Sequence, residues 1–256
     1  MPYSFELQYL LEPCPSCGFM LLQSLQSRTD LKKTKPAISF QSASSIPRLT
    51  FDIAKLDDII QFLRPGQIIG IIGYGSQKLI ERLCVRAQLP KKYGGLDSNI
   101  VIIDGANSSD PYLSINFARQ YGLQVDTVLS RIITSRAFTV YQLWSLVTHE
   151  LQNVISRYGT KFVVISDLLH MFVDDPFLDK NEANIILQGI INSISKIQDC
   201  ITIVSISKPT QYDNMVYKLF DRIIKITKQR HRLFVQVDDR KPIQLKESEL
   251  ELIPQR

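Results

Sequence analysis

From Phe51 onward the apolar residues of this chain fall into two alternating patterns. Short runs built around consecutive apolar residues lie at Gln67–Ile72, Ile100–Ile103, Arg131–Thr134, Phe162–Ile165 and Ile201–Ile206. Such runs suit strands covered on both faces of a sheet. Between them lie stretches whose apolar residues return every three or four positions, the period of a helix with one buried face. Ser76–Ala87 is one of these and ends near Pro90. A second helix starts at Asp110-Pro111, with Asp110 as N-cap and Pro111 in the first helical position. Thr139–Arg157 places Val140, Leu143, Trp144, Val147, Leu151 and Val154 on one side, and Glu182–Ile197 repeats the pattern. Ahead of them, Leu56–Leu63 reads as a short helix stopped by Pro65-Gly66. Strands alternating with helices predict an α/β fold, with a mostly parallel central sheet and helices on both faces. Arg222–Thr227 and Arg232–Val237, separated by Lys228-Gln229-Arg230-His231, predict a C-terminal antiparallel hairpin at the sheet edge. No internal repeat is visible.

Residues 1–50 are different. Cys14-Pro15-Ser16-Cys17-Gly18 and a short apolar run lead into a Ser-, Lys- and Gln-rich stretch without sustained periodicity, which reads as an arm or linker. The division expected is therefore an arm at 1–50, a core at 51–245 and a tail at 246–256. Cys14 and Cys17 have the spacing of half a tetrahedral zinc site. Cys84 and Cys200 lie within core-forming segments, and His149, His170 and His231 are scattered, so ordinary reduced thiols are the simpler reading. His149, inside a helical pattern, reads as a partly exposed helix residue rather than a base. An apolar fraction of 45% and a charged fraction of 21% are those of an ordinary globular domain. No apolar run is long enough to cross a membrane. The first residues, with Glu6 and Glu12 and no basic stretch, do not resemble a secretory leader, and cysteines without a framework pattern suit a reducing cytoplasm.

A net charge of +5 does not by itself announce nucleic-acid binding. Its distribution adds a little. Arg28, Lys32, Lys33, Lys35 and Arg48 make one basic cluster, and 218–241 make another, whereas 167–182 are acidic. The plain reading of each cluster is a solvated face.

The candidate chemistry lies at Gln67-Ile68-Ile69-Gly70-Ile71-Ile72-Gly73-Tyr74-Gly75-Ser76-Gln77-Lys78-Leu79, which has the layout of a phosphate-binding loop: apolar strand, glycine-rich turn, lysine, helix. A working loop reads Gly-x-x-x-x-Gly-Lys-Ser/Thr, because backbone N–H groups wrap the phosphates and the hydroxyl holds Mg²⁺. Here Lys78 comes one position too early after Gly73. Gln77 replaces the second glycine and Leu79 the hydroxyl. Gly73, Gly75, Ser76 and Lys78 are the residues of a vestigial nucleotide site for ATP with Mg²⁺. The plainer reading makes Lys78 a surface lysine on the first turn of a helix.

The order of these pieces, with Val101–Ser108, the run Ser135-Arg136-Ala137-Phe138-Thr139-Val140-Tyr141-Gln142-Leu143, the strand at 162–167 and Phe220–Lys225, resembles the ATPase core of the RecA/RadA recombinase family. The likeness spans about 51–243 and is nearest to the RadA-like branch. It implies a RecA-like P-loop ATPase core, and in that family a glutamate after the first loop glycine primes the attacking water. Tyr74 stands there. The metal-binding acid would close the strand Val163-Val164-Ile165, where Ser166 stands, with Asp167 one step on. A polar sensor at the tip of 201–206 is replaced by Ser207-Lys208. Phosphoryl transfer depends on positioning and charge stabilisation, so losing these parts together implies no hydrolysis. The loops that would meet single-stranded DNA are acidic Leu168–Lys180 and the short 208–215, where Lys208 and Tyr212 are the backbone and base-stacking candidates. The hairpin residues Lys228, Arg230 and Arg232, and the arm at 28–48, are the better phosphate contacts. Pro36-Ala37-Ile38-Ser39-Phe40 resembles a short docking motif that places a Phe in a neighbouring core. The reading that follows is a noncatalytic paralog acting as an accessory or scaffold protein in recombination or repair. Its expected partners are a RadA-type recombinase or further copies of itself, with single-stranded DNA as a further ligand. The alternatives are a divergent active DNA-dependent ATPase and a nucleotide-sensing regulatory module.

Overall fold

In the computed structural model, which describes residues 47–252 apart from 176 and 231, the apolar runs form strands β1 (Ile68–Gly73), β2 (Ile100–Asp104), β3 (Ile132–Arg136), β4 (Phe162–Ser166) and β5 (Ile201–Ile206). Strands β6 (Arg222–Gln229), β7 (Arg232–Val237) and β8 (Ile243–Leu245) complete one eight-stranded sheet in the order β3-β2-β4-β5-β1-β6-β7-β8. All pairings from β3 across to β6 are parallel, and the last two are antiparallel. This is the mixed α/β sheet the patterning implies, with β8 added at the edge. The hairpin is tighter than expected, since β6 runs on to Gln229, opposite Arg232.

The helices are α1 (Ala54–Ile60), α2 (Ser76–Arg86), α3 (Pro111–Gln120), α4 (Val125–Ser130), α5 (Val140–Ser145), α6 (Leu151–Tyr158), α7 (His170–Asp174), α8 (Lys180–Ile194), α9 (Asp213–Tyr217) and α10 (Glu247–Glu251). A π-turn at Leu146–Glu150 joins α5 to α6, so the expected helix over 139–157 is continuous. The Asp110 cap is made as expected, its carboxylate accepting the Tyr112 N–H at 2.9 Å. Helix α8 starts earlier than the apolar period suggests because Asp179 caps it, accepting from Asn181 N at 2.9 Å. Helix α1 is displaced toward the N-terminus of its expected span. Gln61 takes φ 64°, and Leu63 leaves the helix to pair with Leu49.

Successive strand residues point to opposite faces, and two cores result. Ile69, Ile71, Ile102, Val164 and Ile203 face α1, α2 and the 49–53 segment, where Leu49 and Phe51 are fully buried. Val101, Ile103, Val163, Ile165 and Val204 face α5, α6 and α8. A smaller cluster joins Val85 of α2 to Phe117 of α3 and Val128 of α4. Cys84 and Cys200 are buried in these layers, and burial raises both thiol pKa values, that of Cys200 to about 12. The described residues belong to one compact unit. The Cys14/Cys17 pair, the Phe40 segment and most of the basic arm lie outside the described residues.

Candidate functional site

The carboxyl ends of the parallel strands are where an open α/β sheet binds ligands, and the glycine-rich turn lies there. β1 ends at Gly73 and α2 begins at Ser76, so the turn consists of Tyr74 and Gly75 alone. A phosphate cradle needs several consecutive N–H groups pointing inward. Here the Tyr74 N–H is already donated to the Ile226 carbonyl of β6, at 3.0 Å. Gly75 occupies the N-cap of α2 with φ 73°, and Ser76 is buried.

At the first turn of α2, side chains link the helix to the tips of β2 and β4. Gln77 lies within 3.4 Å of the Ser166 hydroxyl at the tip of β4, and Ser166 in turn meets Ser108 at 2.9 Å. The Gln77 amide donates to Glu81 at 2.8 Å. Glu81 is almost fully buried, and its two oxygens also accept from Ser114 Oγ at 2.6 Å and Asp110 N at 3.2 Å. Burial pushes the Glu81 carboxyl pKa up, against the pull of these donors. Asp104, completely buried at the end of β2, gathers the N–H groups of Ser108 and Ser109, each at 3.0 Å, and so fixes the following loop. Asp167 takes a left-handed backbone (φ 50°). Its N–H donates to Ser205 Oγ and its carboxylate accepts from Ser207 N, both at 2.8 Å. The acid is therefore committed to the tip of β5 and is not brought to Lys78.

Magnesium with a triphosphate would require inward N–H groups, a hydroxyl on the first turn of α2 and a carboxylate on the tip of β4. Those positions hold a two-residue turn, the fully buried Leu79 and Ser166. Among the described residues no cluster of three His, Cys, Asp or Glu could hold a metal ion. The residues present do not fit that group.

Lys78 has other partners. It pairs with Glu251 and, at 3.2 Å, with Glu247, both on α10. Glu247 also accepts from the Tyr74 hydroxyl at 2.8 Å and from Lys228 of β6 at 2.9 Å, while Lys228 donates to the Tyr74 hydroxyl at 2.8 Å and sits over its ring. The Lys228 ammonium, with Tyr74 and Lys78, lowers the Glu247 pKa to about 2. The hydrogen bond that Lys78 donates to Glu251 raises the Lys78 pKa, and Tyr74 with Glu247 raises that of Lys228. A carboxyl whose folded pKa is depressed stabilises the fold above its unfolded pKa and loses that contribution as pH falls through the folded one. For Glu247 the window runs from its ordinary 4.5 down to about 2. We expect Glu247→Gln to lose part of the wild-type stability at pH 7 and to converge with wild type as the pH is lowered through that window, read from urea midpoints at successive pH values.

Neither Glu247 nor Glu251 is distinguishable from sequence, since the span after 245 reads as a tail. The expected DNA contacts also separate. Tyr212 is buried with its ring 5.9 Å from Phe172, so it offers no stacking face. Lys228 is held in the clasp just described, whereas Lys208, Arg230 and Arg232 are exposed. His149 is exposed and leans edge-on against Trp144, as a helix residue would.

A parallel sheet in this strand order, with a glycine turn between β1 and α2 and the tips of β4 and β5 beside it, defines a RecA-like core. The model of the Rad51 family matches residues 52–205, more than half of the chain, and the chain belongs to the Rad51 family. The match runs from the 49–53 segment to β5. β6, β7, β8 and α10 lie beyond it. No described helix is long and apolar enough to cross a membrane.

Proposed function

We propose that this chain is a noncatalytic member of the Rad51 family, acting as an accessory or scaffold protein in DNA recombination or repair in the cytoplasm. One observation supports the reading: the turn that should wrap phosphate is two residues long, and Lys78, on the first turn of the helix that follows it, is paired with carboxylates of the same chain. Positioning is what phosphoryl transfer requires of a protein, and this turn positions nothing. What remains useful is surface. Phe138, Tyr141 and Trp144 along α5 and its approach are exposed beside Ile185 of α8. An exposed apolar set of this kind suits docking to another protein, either a RadA-type recombinase or a second copy of the chain. Lys208, Arg230 and Arg232 remain for single-stranded DNA, through contacts that salt would weaken steeply.

The test is calorimetric titration of ATP with Mg²⁺ into the full chain and into Lys78→Ala. We expect no binding up to millimolar nucleotide in either. Micromolar binding lost in Lys78→Ala would overturn the reading and make the chain a divergent ATPase or a nucleotide switch.

A further inference from the structure

The segment after β8 does more than end the fold. Leu250 of α10 is fully buried in the core, and its Cδ1 lies 3.4 Å from where a Cβ on Gly75 would stand. α10 therefore lies directly over the glycine turn. The carboxylates it carries there, Glu247 and Glu251, face two ammonium groups that converge from α2 and β6, Lys78 and Lys228. The Tyr74 hydroxyl completes the set. Two positive and two negative charges balance there.

We propose that Lys246–Leu252 is an internal stopper: it supplies the anion for Lys78 and Lys228 and covers a latent site for a small phosphate-bearing polyanion. The proposal rests on the reading that the wild-type chain does not bind nucleotide. The stopper's grip and its chemistry are separable. The segment is held through its backbone, because Arg82 donates to the carbonyls of Glu249 and Leu252 at 3.0 Å, and Gln120 donates to that of Glu251 at 2.9 Å. The clasp itself is made of partly exposed side chains (26% for Lys78, 32% for Glu247, 44% for Glu251), which solvent ions can reach. Substituting the carboxylates leaves α10 in place and two lysines uncompensated over the turn. The carboxylates compete with any added anion for the two lysines, so relieving the pairs at both should strengthen polyanion binding by about tenfold or more.

The experiment uses inorganic pyrophosphate as probe, titrated at low salt into the full wild-type chain, Glu247→Gln/Glu251→Gln, and that double variant carrying Lys78→Ala. Calorimetry and thermal shift are the readouts. We expect the double variant to bind at least about tenfold more tightly than wild type, the gain to vanish with Lys78→Ala, and added salt to suppress it. Should the double variant fold poorly, Glu251→Gln alone, which leaves Glu247 bridging both lysines, gives a smaller gain of the same kind. A wild type and variants that are all inert would overturn the stopper and leave the noncatalytic reading standing. A wild type that binds as tightly as the double variant would overturn both. A gain that survives Lys78→Ala would also overturn it, since the site would then lie elsewhere.

Discussion

Replacing Arg82 with Ala is expected to destabilise the protein by about 3–5 kcal/mol, the scale of a large-to-small change in a core combined with buried carbonyls left without donors. Arg82 is fully buried in the middle of α2, yet it has no carboxylate in ion-pair contact among the described residues. Its guanidinium instead donates to backbone carbonyls on both sides: Phe51 and Asp52 of the segment ahead of α1, and Glu249, Leu250 and Leu252 at the other end of the fold. Burial pulls its pKa down, although an arginine stays charged. Alanine would leave these carbonyls without donors and open a cavity where the side chain stood. Lysine would restore the charge but not the planar fork that reaches several carbonyls at once. We therefore expect Arg82→Lys to recover only part of the loss in urea unfolding, and Arg82→Ala to lower the melting temperature by roughly 10 °C for a chain of this size. In Arg82→Ala, hydrogen exchange should show 247–252 opening before the sheet. A variant within about 1 kcal/mol of wild type would mean that water replaces the guanidinium, and α10 would not be anchored as described.

The central sheet was legible because β1, β2, β4 and β5 are apolar along most of their length, as suits strands covered on both faces. The spacing between Gly73 and Lys78, one residue short of a phosphate-binding loop, was legible as well. Its consequence was not. What Lys78 does instead depends on Glu247 and Glu251, which lie 169 and 173 residues along the chain. Helix α10 is too short to show a period, and Glu247, Glu249 and Glu251 read as solvated charge until Leu250 is seen to reach the core. Glu81 and Arg82 were equally hidden. On a half-exposed helix they would be ordinary surface residues; here α2 is covered by β-sheet, α3 and α10, so both must find partners inside. Tyr212 failed for the converse reason. An aromatic residue in a short polar loop reads as available, but the chain turns it inward against Phe172. Asp167 lies between these cases: its position one step past the strand was visible, but its backbone twist, which aims the carboxylate at Ser207, was not.

Gly73→Ala should have the second large effect, and its cause separates fold from function. In a working loop a glycine is retained because phosphate comes too close for a side chain. At Gly73 the close neighbour is the protein itself. The residue has φ 92°, and a Cβ built on it would stand 2.4 Å from the carbonyl oxygen of Ile226 in the adjacent strand. That oxygen is backbone and already accepts the Tyr74 N–H, so no side-chain rotation relieves the clash. Strain at a left-handed position and overpacking against a sheet are each worth about 1–3 kcal/mol, and together they predict a loss of about 2–6 kcal/mol. Gly75 provides the control. Its φ is also positive, at 73°, but an added Cβ meets only the Leu250 side chain at 3.4 Å, an ordinary contact, so Gly75→Ala should cost about 1 kcal/mol. Equilibrium unfolding of the two variants side by side decides the matter. A clear gap in that order means the first glycine is kept by the packing of β1 on β6, independent of any nucleotide. Equal losses would mean β6 moves aside easily, and the turn would then have the freedom to open that its hydrogen bond to Ile226 denies it.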